Sequence, residues 1–587
     1  MLKNLFYMLF GVLAFIGAVV LIIVFSITAA VSTFDFEKFE KKDVALLSVP
    51  NDTVLKIDFS AEIPEGYQNN FSWTALKNQV TYPPFIKVLE AVKKAKDDIR
   101  IVGIYARLAD NTLSAAQIEE LREAVLSFRK SGKKAVIYAA SVNPGLSDYY
   151  LASSFDEIWM PPHSMLPVVG VMAKFPFFKK LLNKIGVNPV VFAKYEYKGF
   201  MSSLVDETLP NPIRENMNKL LADNYETMID GISAARGISR DKLQAIVNAA
   251  PLLAEEARSL GMIDKVLYRS QVDAEAARIF SNKINLVDIA VYTAADDLSP
   301  VSSGNGKIAY IVLSGEIKGA DAFSELSESS LTDENVYKEL QSIEKMPDLK
   351  GIILRIDSPG GAYDIADSIR YELLRLKKIK KVPVVASFGG TAASGGYFIS
   401  TVADYVFADN LTVTGSIGAV SMRLDLTEGI KKLDVGVETL KYGGNADIFD
   451  VSTAATLAHK QSFDRMTTFV YNDFITKVGE SRGISLAEMD TVARGRVFSG
   501  KTAVQKRLVN EVGGIFKAVD YLRKKTGAHL EVEVFPHHKE PWEIVRDKLL
   551  EGDLAGLLNF NKALFDFWRR ISDTTSLMTR EYDLKIN

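Results

Sequence analysis

The chain repeats itself, and that narrows its fold more than any other feature of the sequence. VLKIDFSAEI at 54–63 returns as IAYIVLSGEI at 308–317. IVGIYARLAD, ending at Asp110, matches the buried-strand pattern of GIILRIDSPGG, and AVIYAAS, ending at Ser141, matches PVVASF around Ser387. YYLASSFDEIWM at 149–160 matches YFISTVADYVFA at 397–408, and Arg236-Gly-Ile-Ser239 returns verbatim as Arg482-Gly-Ile-Ser485. The spacing between partners stays near 246–254 residues across all five pairs. One register held over so long a span marks two copies of a single unit. At 587 residues the chain also exceeds what one core organises.

Within a copy the pattern alternates. Pro84–Lys96 reads as a helix, Ile101–Leu108 as a strand, Ala115–Lys130 as a helix and Ala135–Ser141 as a strand. Strand and helix in turn predict an α/β domain. Residues 54–292 and 307–535 are then two α/β domains, with the polar, Pro/Ser/Gly-containing stretch 293–306 as the linker. Pro64–Phe85, aromatic-rich and bounded by prolines, has no clean period and is expected to be a loop.

Chemistry concentrates in the second copy. VVASFGGTAASGGYFISTVADYVF sets Ser394 between two alanines and two glycines, where a β-branched run gives way to a helical pattern. A serine at a tight strand-to-helix turn has little steric cover, and the first free N–H groups of the helix lie beside it, suited to an oxyanion. The same residues also suit a plain cap on a buried helix. Aligned at Tyr149 and Tyr397, the first copy places Leu146 opposite Ser394, with Ser147 one residue away, and Asn111-Thr112 opposite Gly360-Gly361. Conversely Lys198, in VVFAKYEYKGF, falls opposite Ala446 or a neighbour. One copy keeps a lysine without the serine; the other keeps the serine without the lysine.

That complementarity predicts one site built from both copies. A serine needs a base at its proton, and neither matched motif contains a histidine. A lysine serves if its pKa falls from about 10.4 to near 7, which asks roughly 4–5 kcal/mol of its surroundings. Burial delivers shifts of that size, and Tyr195, Tyr197, Phe200 and Met201 offer an apolar setting. The alternative is a solvated lysine on a loop.

Taken together, Asp357-Ser358-Pro359-Gly360-Gly361, Ala392-Ala393-Ser394-Gly395-Gly396-Tyr397, Thr414-Gly415-Ser416-Ile417-Gly418 and Tyr197-Lys198 resemble the long, two-domain form of the bacterial signal peptide peptidase A (protease IV) family, from about Val54 to Glu533. The resemblance implies two tandem Clp protease/crotonase-like domains behind a single transmembrane helix, and a Ser/Lys-dyad peptidase needing no cofactor. It assigns Ser394 as nucleophile, Lys198 as general base, the N–H groups of Gly361 and Gly395 as oxyanion hole, and Ser416 as the group orienting the lysine. It implies released signal peptides and similar short apolar peptides as substrates, and a homo-oligomer, a tetramer with sites facing inward. It places the chain in a bacterial inner membrane with its body in the periplasm. Gly199-Phe200 departs from the family pattern, where a small polar residue such as serine is expected after the lysine. Ser358 and Thr414 read as turn and cap residues. Two other readings compete: a crotonase-like acyl-CoA enzyme, which would not need Ser394, and a non-catalytic membrane scaffold.

The ends carry different signals. Leu5–Val31 has no charged residue and exceeds the roughly 20 apolar residues that span a bilayer, so residues 1–33 are expected to be an uncleaved anchor, followed by a stalk at 34–53. Thr28-Ala29-Ala30 also fits a cleavage site. Lys3 before the span and Lys38, Lys41 and Lys42 after it leave orientation undecided by charge. Residues 536–587 are expected to form an amphipathic helical tail whose Trp542, Leu549, Phe560, Phe565 and Trp568 suit either packing on protein or contact with a membrane surface. A net charge of −3 gives no reason to expect nucleic acid. No cysteine is present, and the five histidines, His163, His459, His529, His537 and His538, form no zinc-binding array.

Overall fold

The computed structural model describes residues 49–67, 82–109, 111–140, 142, 145–280, 284–294, 306–319, 330–527, 530–539 and 543. The expected anchor, most of the stalk, most of the linker and all but a few residues of the tail lie outside them. Among the described residues no helix is long and apolar enough to cross a membrane.

The first copy supplies strands β1 (Thr53–Asp58), β2 (Ile101–Leu108), β3 (Lys134–Ala139), β4 (Glu157–Met160), β5 (Asn188–Ala193), β6 (Lys265–Val266) and β7 (Asn285–Asp288). Six of them form a parallel sheet in the order β6-β4-β3-β2-β1-β7, and β5 stands outside it. The second copy supplies β8 (Gly306–Ser314), β9 (Leu349–Ser358), β10 (Val384–Ala393), β11 (Tyr405–Ala408), β12 (Val413–Gly415), β13 (Val420–Asp425), β14 (Val497–Ser499), β15 (Glu511–Val512) and β16 (Leu530–Phe535). Its parallel path β15-β11-β10-β9-β8-β16 repeats the first sheet strand for strand. Beyond it, β12 extends β10 in parallel and β14 runs antiparallel to β12. Near-continuous apolar runs such as Ile352-Ile353-Leu354, each at most 1% exposed, are what a sheet covered on both faces requires.

The helices used below are α1 (Phe85–Ala95), α2 (Ala115–Arg129), α3 (Ser147–Ala152), α4 (Asn211–Arg236), α5 (Tyr363–Lys380), α6 (Gly395–Ile399) and α7 (Leu457–Arg482). The verbatim Arg-Gly-Ile-Ser repeat is a helix stop. Gly237 and Gly483 end α4 and α7 in the left-handed conformation, at φ +65° and +63°, and Ser239 and Ser485 then stand at the N-caps of the next helices. Side-chain ties repeat as well: Tyr149 Oη donates to the Met262 carbonyl at 2.6 Å, and Tyr397 Oη to the Leu508 carbonyl at 2.8 Å. In both copies an aspartate, Asp156 or Asp404, accepts from the strand N–H of Ala135 or Val384 at 2.9 Å.

Both sheets belong to one compact unit. Several contacts join them. Strand β5 of the first copy pairs antiparallel with β13 of the second, from Ala193–Val420 to Asn188–Asp425. The side-chain amide of Asn216, on α4, exchanges two 2.8 Å hydrogen bonds with the backbone of Val497, continuing the ladder of β14 by a side chain. Arg355, on β9 and fully buried, binds Glu65 through Nε and Nη2 at 2.9 Å each and Glu120, on α2, at 2.8 Å.

Candidate active site

Strand β10 ends at Ala393 and α6 starts at Gly395, so Ser394 alone makes the turn, at φ +51° and ψ −119°. A serine held there is strained, and the surrounding packing must fix it. Its N–H donates to the Gly415 carbonyl at 2.9 Å, and its carbonyl accepts from Phe398 at 2.9 Å. Leu146, the aligned residue of the first copy, caps α3 with ordinary angles, φ −90° and ψ −22°, and is fully buried. The first copy thus keeps the helix but reaches it through a longer connection, from Ala139 to Ser147, and lacks both the hydroxyl and the strain. Opposite the second copy's glycine pair, Asn111 Nδ2 donates to Asp148 Oδ1 at 2.6 Å, filling that space with side chains.

Gly360 and Gly361 cross close over the serine turn. A Cβ on Gly360 would come 2.6 Å from Gly395 N and 2.7 Å from Ser394 Cβ, and one on Gly361 would lie 2.0 Å from the Ile317 carbonyl oxygen. Both have positive φ, +105° and +148°. The contact with Ile317 is made by the Gly360 carbonyl and the Ala362 N–H, at 2.8 and 2.9 Å, so Gly361's own N–H takes no part in it. Gly395, first residue of α6, has an N–H without an intrahelical acceptor. Ser358 Oγ accepts from Gly360 N at 3.2 Å, a turn contact as the sequence suggests, whereas Thr414 lies inside β12 and its Oγ1 donates across the sheet to the Ala392 carbonyl at 2.6 Å, a tie between strands and not a cap.

Lys198 follows β5 and reaches the serine across the junction of the copies. Its Nζ lies 3.0 Å from Ser394 Oγ, 2.9 Å from Ser416 Oγ and 2.9 Å from the Ser416 carbonyl oxygen. A neutral amine has two protons and one lone pair. The Ser416 carbonyl and hydroxyl take the two protons, which leaves the lone pair for the Ser394 proton. Lys198 is 9% exposed, and burial pushes its amine down to about 7. Close packing of its stem contributes to that burial: Cβ atoms on Gly418 and Gly495 would come 3.1 Å from Lys198 Cδ and 2.4 Å from its backbone N.

The sequence attributed the apolar setting to neighbouring aromatics, and there the structure differs. Tyr195 is 46% exposed, and the rings of Tyr195 and Tyr197 lie against the guanidinium groups of Arg494 and Arg496. Gly199, where a small polar residue was expected, stands under Ile213 of α4, whose Cδ1 would be 2.3 Å from a Cβ there. Ser416 has φ +51°, matching Ser394; its N–H donates to the Arg496 carbonyl at 2.6 Å. The contribution of 494–496 had only one sequence signal, the Arg-Gly-Arg run itself. The structure thus brings Ser394, Lys198 and Ser416 into hydrogen-bonding distance and sets the Gly360-Gly361 loop against the serine turn. No cluster able to hold a metal ion occurs among the described residues.

The chain is similar to several known proteases. "Serine protease SPPA, chloroplastic" of Arabidopsis thaliana is 29% identical over 447 residues, 75% of this chain and 65% of that protein. "Protease 4" of Haemophilus influenzae is 28% identical over 538 residues, 87% of this chain and 85% of that protein. "Protease 4" of Salmonella typhi is 28% identical over 449 residues, 74% and 70% respectively. The signature of peptidase family S49 matches residues 127–282 and 376–529, one segment in each copy and more than half of the chain together. The chain belongs to peptidase family S49 and is a serine peptidase.

Proposed function

We propose that this chain is a membrane-anchored endopeptidase that hydrolyses released signal peptides and other short apolar peptides, with Ser394 as nucleophile and Lys198 as its base. The observation that carries the reading is the 3.0 Å separation of Lys198 Nζ and Ser394 Oγ, with the amine held near neutrality by burial. Nζ takes the Oγ proton as Oγ attacks the scissile carbonyl carbon. The N–H groups of Gly361 and Gly395 receive the oxyanion, and Ser416 keeps the lone pair aimed at Oγ. Collapse breaks the C–N bond, and the leaving amine takes the proton from Nζ, leaving an acyl-enzyme on Ser394. Water then attacks the ester, gives its proton to Nζ, and the serine leaves with that proton as the acid is released.

The substrate class rests on the likeness to signal peptide peptidase A and on the uncharged span Leu5–Val31, which would hold the body where such peptides are released. A single-pass position in a bacterial inner membrane, body outward, and Clp protease/crotonase-like units belong to the same reading. So does assembly. Inside the chain β5 pairs with β13, one strand from each copy. The repeat puts their counterparts at 434–439 and 172–177, and neither pairs in a sheet among the described residues. Met172, Val435 and Val437 there are 57%, 54% and 51% exposed. Copies joined head to tail through these segments would repeat the internal junction, each junction between chains lacking both serine and lysine.

The test is Ser394→Ala in the full-length, detergent-solubilised protein, read on an apolar peptide. Loss of activity by about 10³-fold or more is expected; an unchanged rate overturns the proposal.

A further inference from the structure

Lys198 sits on a loop, and a loop needs support to hold an amine in reacting geometry. That support comes from the Arg-Gly-Arg run at 494–496. Arg496 Cζ lies 3.8 Å from the centre of the Tyr197 ring and Arg494 Cζ 4.6 Å from that of Tyr195. Arg494 also pairs with Glu196 at 3.1 Å. Arg496 Nη1 donates to the carbonyls of Asp490 and Ala493 at 2.6 and 3.2 Å, so its plane is fixed before the tyrosine meets it. Between the arginines Gly495, at φ +90°, lies against the backbone of Lys198: a Cβ there would come 2.4 Å from its N and 2.5 Å from its Cα. The same three residues hold the other side of the site. Gly495 N donates to the Ile417 carbonyl at 2.8 Å, and the Arg496 carbonyl accepts from Ser416 N at 2.6 Å.

We infer that Arg494–Gly495–Arg496 is the positioning element of Lys198, gripping the lysine loop with one side and the Ser416 turn with the other. A second observation points the same way. The helices Ala254–Ser259 and Gly500–Gln505 correspond with a spacing of 246, which puts Asn248-Ala249-Ala250 where the second copy has Arg-Gly-Arg. By the repeat, that element would serve a lysine at the junction where the lysine is missing, and both arginines and the glycine are missing with it.

The inference rests on the Ser394/Lys198 reading, and one set of variants separates the two. In the full-length protein, Arg494→Ala/Arg496→Ala, Arg496→Lys and Gly495→Ala are read as kcat and KM on an apolar peptide across pH 5–10, beside Lys198→Ala. In the double variant we expect kcat to fall about tenfold or more with KM within about twofold, and the acid limb of the profile to move upward as water reaches the amine. Arg496→Lys, which keeps the cation and loses the planar stack, falls between. If Gly495→Ala does not fold, the arginine variants carry the test. An unchanged kcat and acid limb beside an inactive Lys198→Ala overturns the inference and leaves the dyad standing. A fall in kcat with the acid limb in place reduces the segment to packing and overturns it too, as does a rise in KM alone. Activity retained in Lys198→Ala sinks the dyad reading instead.

Discussion

Lys198 and Ser394 are separated by 196 positions in the chain, on different copies of a duplicated unit, and their Nζ and Oγ atoms are 3.0 Å apart. The pair exists only while the two copies are docked. With that pair as the proposed dyad, catalysis would depend on the junction made by β5 with β13, α4 with β14, and Arg355 with Glu65 and Glu120, as much as on either α/β unit alone.

In the proposed mechanism the two groups act as one unit, so their losses would not add. Ser394→Ala, Lys198→Ala and the double variant are each expected to lose about the same activity, on the order of 10³-fold or more. Turnover of an apolar peptide by the three purified variants measures this. A double variant worse than the more damaged single by the full product of both effects would mean the residues act independently.

The lysine also gives the pH dependence a sign. Its amine is pushed down to about 7 by burial, and only the neutral form takes a proton. Activity is expected to rise with pH through about 7 and level off above it. Stability follows the same group. Between the folded value and the ordinary value near 10.4, the unfolded chain binds a proton that the native chain does not, so stability rises with pH across that window. Lys198→Met removes this dependence. Relative to Lys198→Met, the native protein is therefore expected to gain stability from pH 6 to pH 10 in paired denaturant titrations. Parallel curves would contradict the depressed amine.

The two-domain α/β architecture was legible because a repeat leaves its mark in sequence: buried β-strand runs, and a helix stop spelled Arg-Gly-Ile-Ser twice. Ser394 and Lys198 were legible because each is missing from the other copy. The means of lowering the lysine pKa were not. Gly418 and Gly495 act by close approach, which a sequence does not record, and the tyrosines beside Lys198 present their rings to arginines almost 300 residues away in the chain. Arg355 was hidden for a similar reason. It sits in an apolar strand, and its carboxylate partners, Glu65 and Glu120, come from the other copy.

That arginine is the next place to test the junction. Arg355→Met leaves Glu65 and Glu120 buried without their counter-charge, which is expected to cost about 3–5 kcal/mol in denaturant unfolding of the body. Replacing all three residues by Leu or Met of similar volume should recover much of that loss, since the pairing offsets a desolvation cost that the apolar set never incurs. A neutral Arg355→Met would show that the network carries little of the docking.

Glu119, next to that network on α2, sets a second pH dependence of opposite sign. Its Oε2 accepts from Leu411 N at 2.6 Å and its Oε1 from Asn410 Nδ2 at 3.0 Å, so it too ties the first copy to the second. Burial pushes it up to about 7 in spite of those bonds, with Glu120 and Asp409 close by; Asp409, buried as well, is held far above the usual carboxylate range. Between its ordinary value and about 7 the native chain keeps a proton that the unfolded chain has lost, so this group removes stability as pH rises through that window and changes nothing beyond it. Glu119→Gln retains an acceptor for Leu411, lets the Asn410 amide turn over to meet the new amide, and has no charge to bury. Its melting temperature is expected to be less sensitive to pH between 5 and 7 than that of the native protein, and to be the higher of the two at pH 8. Should the two curves run parallel from pH 5 to pH 8, Glu119 is ionised throughout, and the charge at the junction is balanced by some other group.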